Sequence, residues 1–494
     1  MNIDLANEVR RPRTLIAAAA LFSIANGYAL YREFYVFSLL PAVLFMAWLL
    51  IYRPKYALIF LAAATPLSVN VENISSLGGI GISLPTEPVM VALMMLFLLR
   101  LATGGKNDKR FLRHPLTVAI LFSLVWMLIT SLTSQLPVVS FKFFLARLWF
   151  VVTMYFMINV FFTKERFLRL FAYGLMFGMA VAMIYTIGRH AQHAFAEKPA
   201  HWVMTPFFKD HTSYGALIAM LFPMVIFHFW RARLLSGAKL IFGALLVLFS
   251  VALVLSYTRA AWVSLAAVIP ILVLIRLKID FKLVALAGLA LIGTYFAFED
   301  TISHRLSKNS QDSSGDFREH VQSITNISSD ASNLERLNRW NAALRMFAER
   351  PVFGFGPGTY MFEYAVYQKS SEKTIISTNQ ADGGNAHSEY LGPLSEQGLI
   401  GALAMLAIVV LSISTGIRLY YRLDHAPYLK GMVLCMVLGL ITYYIHGALN
   451  NFLDTDKASV PVWGFMSAIL AAKLYLSNPE DYLKRQQSNA VSSK

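Results

Sequence analysis

Apolar runs of about 16 to 20 residues recur along almost the whole chain, and no other feature limits its fold so severely. A helix rises 1.5 Å per residue, so each run comes close to crossing the ~30 Å hydrocarbon core of a bilayer. About fourteen such runs are present, at 14–31, 35–52, 55–71, 87–101, 116–133, 147–162, 170–189, 213–230, 241–257, 260–276, 283–298, 399–417, 431–447 and 459–476. The predicted fold is an all-α membrane protein, a polytopic bundle of about 12–14 transmembrane helices with one large loop domain. Composition agrees: 57% of residues are hydrophobic and 14% charged, which is too oily for an ordinary soluble globule.

The net charge of +15 is informative through its placement. Lys and Arg gather in alternate short loops, among them Arg10, Arg11 and Arg13, then Lys106, Lys109 and Arg110, then Arg231 and Arg233, and finally Lys484 and Arg485. By the positive-inside rule these loops and both termini are cytoplasmic. The basicity is therefore a topology signal, and no nucleic-acid partner is expected. The first run lies in an unbroken series of others and lacks a small-residue cleavage site, so it is read as a retained helix. The single cysteine, Cys435, excludes an intramolecular disulfide and a cysteine-based zinc cluster.

Four regions follow: 1–298 as amino-terminal transmembrane helices (about 11 spans), 299–398 as a large outward loop domain, 399–476 as three closing transmembrane helices, and 477–494 as a cytoplasmic tail. Within the loop, Ser307 to His320 is rich in Ser, Asp and Gly and reads as flexible. Ser332 and Glu335 have capping-box spacing, and Leu337, Trp340, Leu344 and Phe347 repeat at helical intervals, which predicts an amphipathic helix near 333–349. Pro351 stops it, and Gly354 to Tyr360 (GFGPGTY) forms a turn in which the glycines allow conformations closed to other residues. A short helix is expected from about Ser388, kinked or shortened by Pro393, with a break at Gly398 before the next span.

His387 therefore falls at an outer helix terminus, near the bilayer surface. A near-neutral imidazole there can accept a hydroxyl proton; it can equally cap a helix or sit among lipid headgroups. Arg259, in Ser256 to Trp262 (SYTRAAW), lies at the outer break between two spans, where its planar fork suits a lipid pyrophosphate or simply snorkels. Arg336 and Arg339 are one helical turn apart and could hold a diphosphate, with Arg345 further along the same helix; a solvated helix face explains all three as well. Lys209, Asp210 and His211 are weaker candidates of the same kind. Asp454 and Asp456 have the Asp-x-Asp form of a cation site, but the first outward loop offers only Arg32 and Glu33, which do not make an acidic metal site. No Walker-type loop, G-x-S-x-G or H-E-x-x-H occurs.

The order SYTRAAW at a span boundary, then RLNRWNAALRMFAERPVFGFGPGTY, then NAHSEYLGPLSEQGLIG, then three closing spans resembles the O-antigen ligase and O-antigen polymerase superfamily of bacterial inner-membrane proteins. The resemblance covers about 250 residues of the second half. It implies an O-antigen ligase-like glycosyltransferase that moves a glycan from undecaprenyl pyrophosphate to a hydroxyl acceptor, such as lipid A core, at the periplasmic face, without metal or cofactor. It makes His387 the general base of an H-x-x-x-L pattern ending at Leu391, Arg259 the arginine that handles pyrophosphate, and Arg336 its assistant. Arg339, Arg345, Lys209, His211, Trp340 and Glu389 complete the expected substrate-binding set. Family ligases usually have about twelve spans, so fourteen implies two extra amino-terminal helices or a miscounted pair.

Polymerase and protein O-oligosaccharyltransferase readings share the donor chemistry and differ only in acceptor. A polysaccharide transporter or flippase would place ionisable groups inside spans along a pathway, and these spans read as nearly free of charge. A non-catalytic scaffold would be indifferent to changes at His387 and Arg259.

Overall fold

The computed structural model describes residues 12–71, 81–279, 331–374, 377 and 384–480. Helices form where the apolar runs predict them: α1 (Pro12–Tyr31), α2 (Leu40–Tyr52), α3 (Pro54–Ala64), α4 (Thr86–Ala102), the short α5 (Lys109–Leu112), α6 (Pro115–Leu132), α7 (Pro137–Val151), α8 (Glu165–Ala191), the short α9 (Glu197–Ala200), α10 (His211–Arg231), α11 (Gly237–Leu255) and α12 (Arg259–Arg276). After them come α13 (Ala331–Glu349), the short α14 (Tyr360–Glu363), α15 (Leu391–Arg422), α16 (Pro427–His446) and α17 (Asp456–Ala471). Among the described residues, ten helices are long and apolar enough to cross a membrane. The chain is a multi-pass, all-α membrane protein. The predicted run 283–298 and the segment Ser307 to His320 lie outside the described residues.

Two compact units are present, 1–57 and 58–494. In the first, α1 and α2 form a hairpin through a 3-10 turn at Tyr35–Leu39, closed by a stack of Phe22 on Phe37 and a 2.8 Å bond from Ser38 Oγ to Asn26 Oδ1. Ile24, Phe45 and Ile51 stay exposed, as on helices whose solvent is lipid.

In the second unit, burial runs against hydropathy. The least apolar span, α17 with its π-turn extension Ala472–Leu476, has 83% of its most apolar stretch buried, while the most apolar, α11, has 17%. A central helix is surrounded by protein and can carry polar groups, whereas a peripheral one must be oily all round. Thus Ser467 Oγ donates to Tyr155 O at 2.6 Å where α17 meets the π-turn Val152–Met157 that extends α7. At its other end Lys457 Nζ reaches Thr65 O at 2.6 Å and Ser68 O at 2.8 Å. Asp456 accepts from Thr86 Oγ1 at 2.7 Å and from Ser68 Oγ. A two-stranded hairpin, β1 (Val69–Asn70) with β2 (Ser83–Leu84), replaces the last residues of the run predicted to 71.

Three sequence expectations change. The span read as 147–162 begins at Pro137, because Lys142 interrupts its apolar character without breaking the helix. Arg147, ten residues in, therefore lies about 15 Å along α7 instead of at its mouth. Helices read as nearly charge-free spans start earlier than expected and so carry Glu396, Asp456 and Lys457, besides Arg147. Pro393 does not kink its helix: as the third residue of α15 it lies in the first turn, where no intrahelical N–H bond is lost.

The break at Gly398 (φ 67°, ψ −168°) organises the loop domain. It frees carbonyls that would accept from the next turn, and the GFGPG turn takes them up: Phe355 N–H donates to Ser395 O at 3.1 Å and Gly356 N–H to Glu396 O at 2.8 Å. Trp126 Nε1 donates to Gln397 O at 2.9 Å, and the freed Leu399 N–H finds Pro351 O at 2.9 Å. The fit requires glycine, since a Cβ on Gly398 would stand 2.1 Å from Val352 O and one on Gly356 2.0 Å from Ser134 Oγ. The helix predicted near 333–349 is α13, but its buried face is not the expected one. Ala342, Ala343 and Met346 pack with Phe355, Tyr360, Tyr364 and Ala386, while Leu337 and Leu344 are exposed. Small alanines let the 384–390 segment approach the helix closely. Glu335, expected in a capping box, has its carboxylate on Arg339 Nε at 2.8 Å, Thr374 Oγ1 at 3.1 Å and Ser377 Oγ.

Candidate active site

Helix ends converge beneath residues 384–390. α10 starts where Asp210 Oδ1 accepts the Ser213 N–H at 2.8 Å, an N-cap that sets His211 at the first helical position, its ring 4.2 Å from that of His201. Tyr257, at φ 49°, reverses the chain between α11 and α12, and Thr258 Oγ1 donates to His211 O at 2.8 Å. Thr258 seats against Gly215, where a Cβ would come within 2.8 Å of it. This turn puts Arg259 at the first residue of α12, half-buried, and both Arg259 and Arg336 of α13 act electrostatically on His211.

The end of α16 supplies a part that sequence reasoning missed. Buried His446 lies against the backbone of Ala260, and Asn450 Nδ2 stands 3.2 Å from its Nε2. The Asn450 side chain also hydrogen-bonds the His387 ring. An imidazole at the foot of an apolar helix four residues before an asparagine was the available signal, weak because nothing in the sequence says that the two turn toward His387.

His387 is half-buried and left-handed, at φ 48°, a conformation that costs a residue with a Cβ about 1 kcal/mol or more. Its neighbours hold it there. Its N–H donates to Asn385 Oδ1 at 3.1 Å, its carbonyl accepts from Trp340 Nε1 at 3.4 Å, and Glu389 N–H donates to Gly447 O at 2.8 Å. Burial, then the Arg339 and Arg336 cations, push its imidazole down to about 4, with the Asn450 bond pulling the other way. The ring is neutral at pH 7. A neutral imidazole keeps one ring nitrogen as an acceptor.

The predicted residues divide. His387, Arg259, Arg336 and His211 come together, with Trp340 supporting the strap formed by residues 384–390 and Lys209 exposed close by. Arg339 is buried: it pairs with Glu335 at 2.8 Å, donates to Asn385 O at 3.1 Å and covers the Tyr364 ring. Arg345 lies elsewhere, donating to Tyr367 O at 2.7 Å and pairing with Glu372. Glu389 serves the opposite face of the strap, where one carboxylate oxygen accepts from Tyr443 Oη at 2.6 Å, Phe452 N at 2.7 Å and Leu453 N at 2.8 Å. Burial, its leading influence, raises its pKa.

Residues 244–406 match the family model described as O-antigen ligase. That match supports the O-antigen ligase and polymerase superfamily for this stretch of the chain. Members of this family are glycosyltransferase-type enzymes. The matched stretch holds Arg259, Arg336 and His387; His211, His446 and Asn450 complete the cluster from outside it. No curated protein matches the chain. The two acids of the Asp-x-Asp sequence separate, Asp456 to Ser68 and Thr86 and Asp454 to the far face of the strap. Among the described residues, no three His, Cys, Asp or Glu side chains group as metal ligands.

Proposed function

We propose that the protein is an O-antigen ligase-like glycosyltransferase that moves a glycan from undecaprenyl pyrophosphate to a hydroxyl of lipid A core or a similar acceptor, at the periplasmic face of the bacterial inner membrane. The observation that carries this reading is a neutral, oriented imidazole beside a half-buried arginine pair at the end of an apolar bundle. A polar edge joined directly to membrane helices suits a donor whose polyprenyl tail stays in lipid.

The reaction is an inverting displacement. The acceptor oxygen attacks the anomeric carbon, its proton passes to His387, and the bond from that carbon to the phosphate oxygen breaks with its electron pair going to undecaprenyl pyrophosphate. Arg259 and Arg336 meet the negative charge that grows on the leaving group. The backbone bonds that hold the 384–390 strap and the Asn450 side chain beside the ring support His387 as the base.

The test is the glycan profile of a deletion strain complemented with wild type or with stably expressed His387→Ala. Long glycan stranded on undecaprenyl in both deletion and variant supports ligation; stranded single repeat units indicate polymerisation instead. A variant that restores the wild-type profile removes His387 from the chemistry.

A further inference from the structure

Against the 384–390 strap lies a cavity of about 260 Å³, lined by neither Arg259 nor Arg336, that the proposed reaction leaves unassigned. It runs between α6, α7, α15 and α17, and Asn385, Ala386, Ser388 and Glu389, which flank His387 in sequence, form part of its wall. Its lining has an unusual make-up for a membrane interior. Arg147 contributes the one guanidinium, set against the carboxylates of Glu389, Glu396 and Asp454, which act on it electrostatically. Among the described residues that guanidinium makes no hydrogen bond or ion pair, and its contacts are the rings of Phe143 and Trp463 at 5.6 and 6.0 Å. Trp463 is 3% exposed, and its indole Nε1 has no hydrogen-bond partner there either; nor has Asn451 Oδ1, also in the wall.

Buried donors and acceptors without partners are costly, and an arginine well inside a bilayer helix is a functional group by default. Charge then selects the ligand. Three acidic side chains and a single guanidinium, with no other cation in the lining, suit the cavity poorly to pyrophosphate, which the basic face already suits. Hydroxyl groups can both donate to carboxylates and accept from Arg147 and Trp463, and an aromatic ring gives a flat apolar wall for the C–H face of a sugar. The volume lies below the roughly 300–1,000 Å³ of pockets for drug-sized molecules, which fits a single sugar residue.

We propose that this cavity seats the acceptor's sugar: an uncharged, hydroxyl-rich saccharide unit recognised by Arg147, Glu396, Asp454 and Trp463, its free hydroxyl offered to His387 across the strap. The proposal rests on the glycosyltransferase reading and adds which side each substrate takes. Donor pyrophosphate lies on the basic face, acceptor sugar on the carboxylate face, and His387 between them.

The test uses the full chain in nanodiscs. Saturation-transfer difference NMR is titrated with D-glucose, D-galactose and N-acetyl-D-glucosamine, and sugar-free undecaprenyl pyrophosphate is titrated separately. At least one sugar is expected to bind saturably, with affinity falling 10-fold or more in Asp454→Asn and in the milder Trp463→Phe. Undecaprenyl pyrophosphate affinity should stay within twofold, which also shows that the variants are folded. No saturable sugar binding, or equal affinity in the variants, overturns the proposal. So does a loss of undecaprenyl pyrophosphate binding in both variants, which would give the cavity to the donor. If the glycosyltransferase reading fails instead, wild type transfers no glycan to rough lipopolysaccharide whatever the sugar titration shows; if only the cavity assignment fails, transfer persists and the variants keep the wild-type acceptor KM.

Discussion

The two faces of the strap at 384–390 are built from different parts of their helices. The basic face is assembled from helix ends: the start of α10, the first residue of α12, the foot of α16. The carboxylate face joins connecting segments, which supply Glu389 and Asp454, to helix interiors, with Arg147 ten residues into α7 and Trp463 within α17. Charge at a helix end can reach water whether or not a substrate is bound. Charge inside the bundle is kept only where neighbouring groups or a ligand compensate it. The first face suits an anionic lipid headgroup and the second a neutral polar molecule, and that division can be attacked one residue at a time.

The largest effect is expected at His387, where the two faces meet. His387→Ala should lower kcat by about 10² to 10⁴ and leave undecaprenyl pyrophosphate binding unchanged, measured as single-turnover transfer in nanodiscs. Loss of donor binding instead would make it part of the basic face only. Next come the arginines. A charge-assisted hydrogen bond is worth about 1.5–3 kcal/mol, so Arg259→Ala should cost roughly 10- to 150-fold in kcat/KM for the lipid-linked donor. Arg259→Lys should recover only part, since it keeps the charge and loses the fork. An unchanged acceptor KM in both variants sharpens the division; a raised one blurs it.

A smaller effect has a definite sign. Because the free enzyme's His387 titrates near 4, kcat/KM should be level from about pH 8 to 5 and fall below that. Arg336→Gln removes a cation that depresses this imidazole, so the acid limb should move up toward the ordinary 6.5 of histidine. Folding stability is linked to the same group. The folded pKa lies below the unfolded one, so the unfolded chain takes up a proton first as pH drops through 6.5, and stability falls until the folded ring also protonates near 4. Arg336→Gln should narrow that window, which thermal unfolding at pH 7 and 5 would show; an acid limb that does not move would place Arg336 outside the influence of the base.

The sequence made the basic face largely legible and, on the other face, pointed to Glu389 and Asp454 but not to Arg147, for one physical reason. His387, Arg259 and Arg336 sit beside breaks, and breaks announce themselves through polar residues, glycines and the ends of apolar runs. Gly398 was readable for the same reason. Arg147 was not, because Lys142 made the outer half of α7 look like loop and put the arginine at a boundary where it would snorkel. The face of α13 was misread because Leu337 and Leu344 are larger and more apolar than the alanines that pack, and hydropathy alone cannot weigh close approach against size. Asn450 needed the third dimension outright.

Arg345 gives the finest test of how far pattern can be trusted. It shares a helix with Arg336 and Arg339, and sequence alone grouped all three on one substrate. In the fold its guanidinium is engaged on the opposite side of the loop domain, one nitrogen on Tyr367 O at 2.7 Å and another on Glu372, with about a quarter of each charged side chain exposed. Pairs of that exposure contribute about 0.2–1 kcal/mol. Arg345→Ala should therefore lower the melting temperature slightly and leave kcat and both KM values at wild type, whereas Arg336→Ala should do the reverse. A rise in donor KM for Arg345→Ala would extend the basic face along the whole of α13 and return the three arginines to a single role.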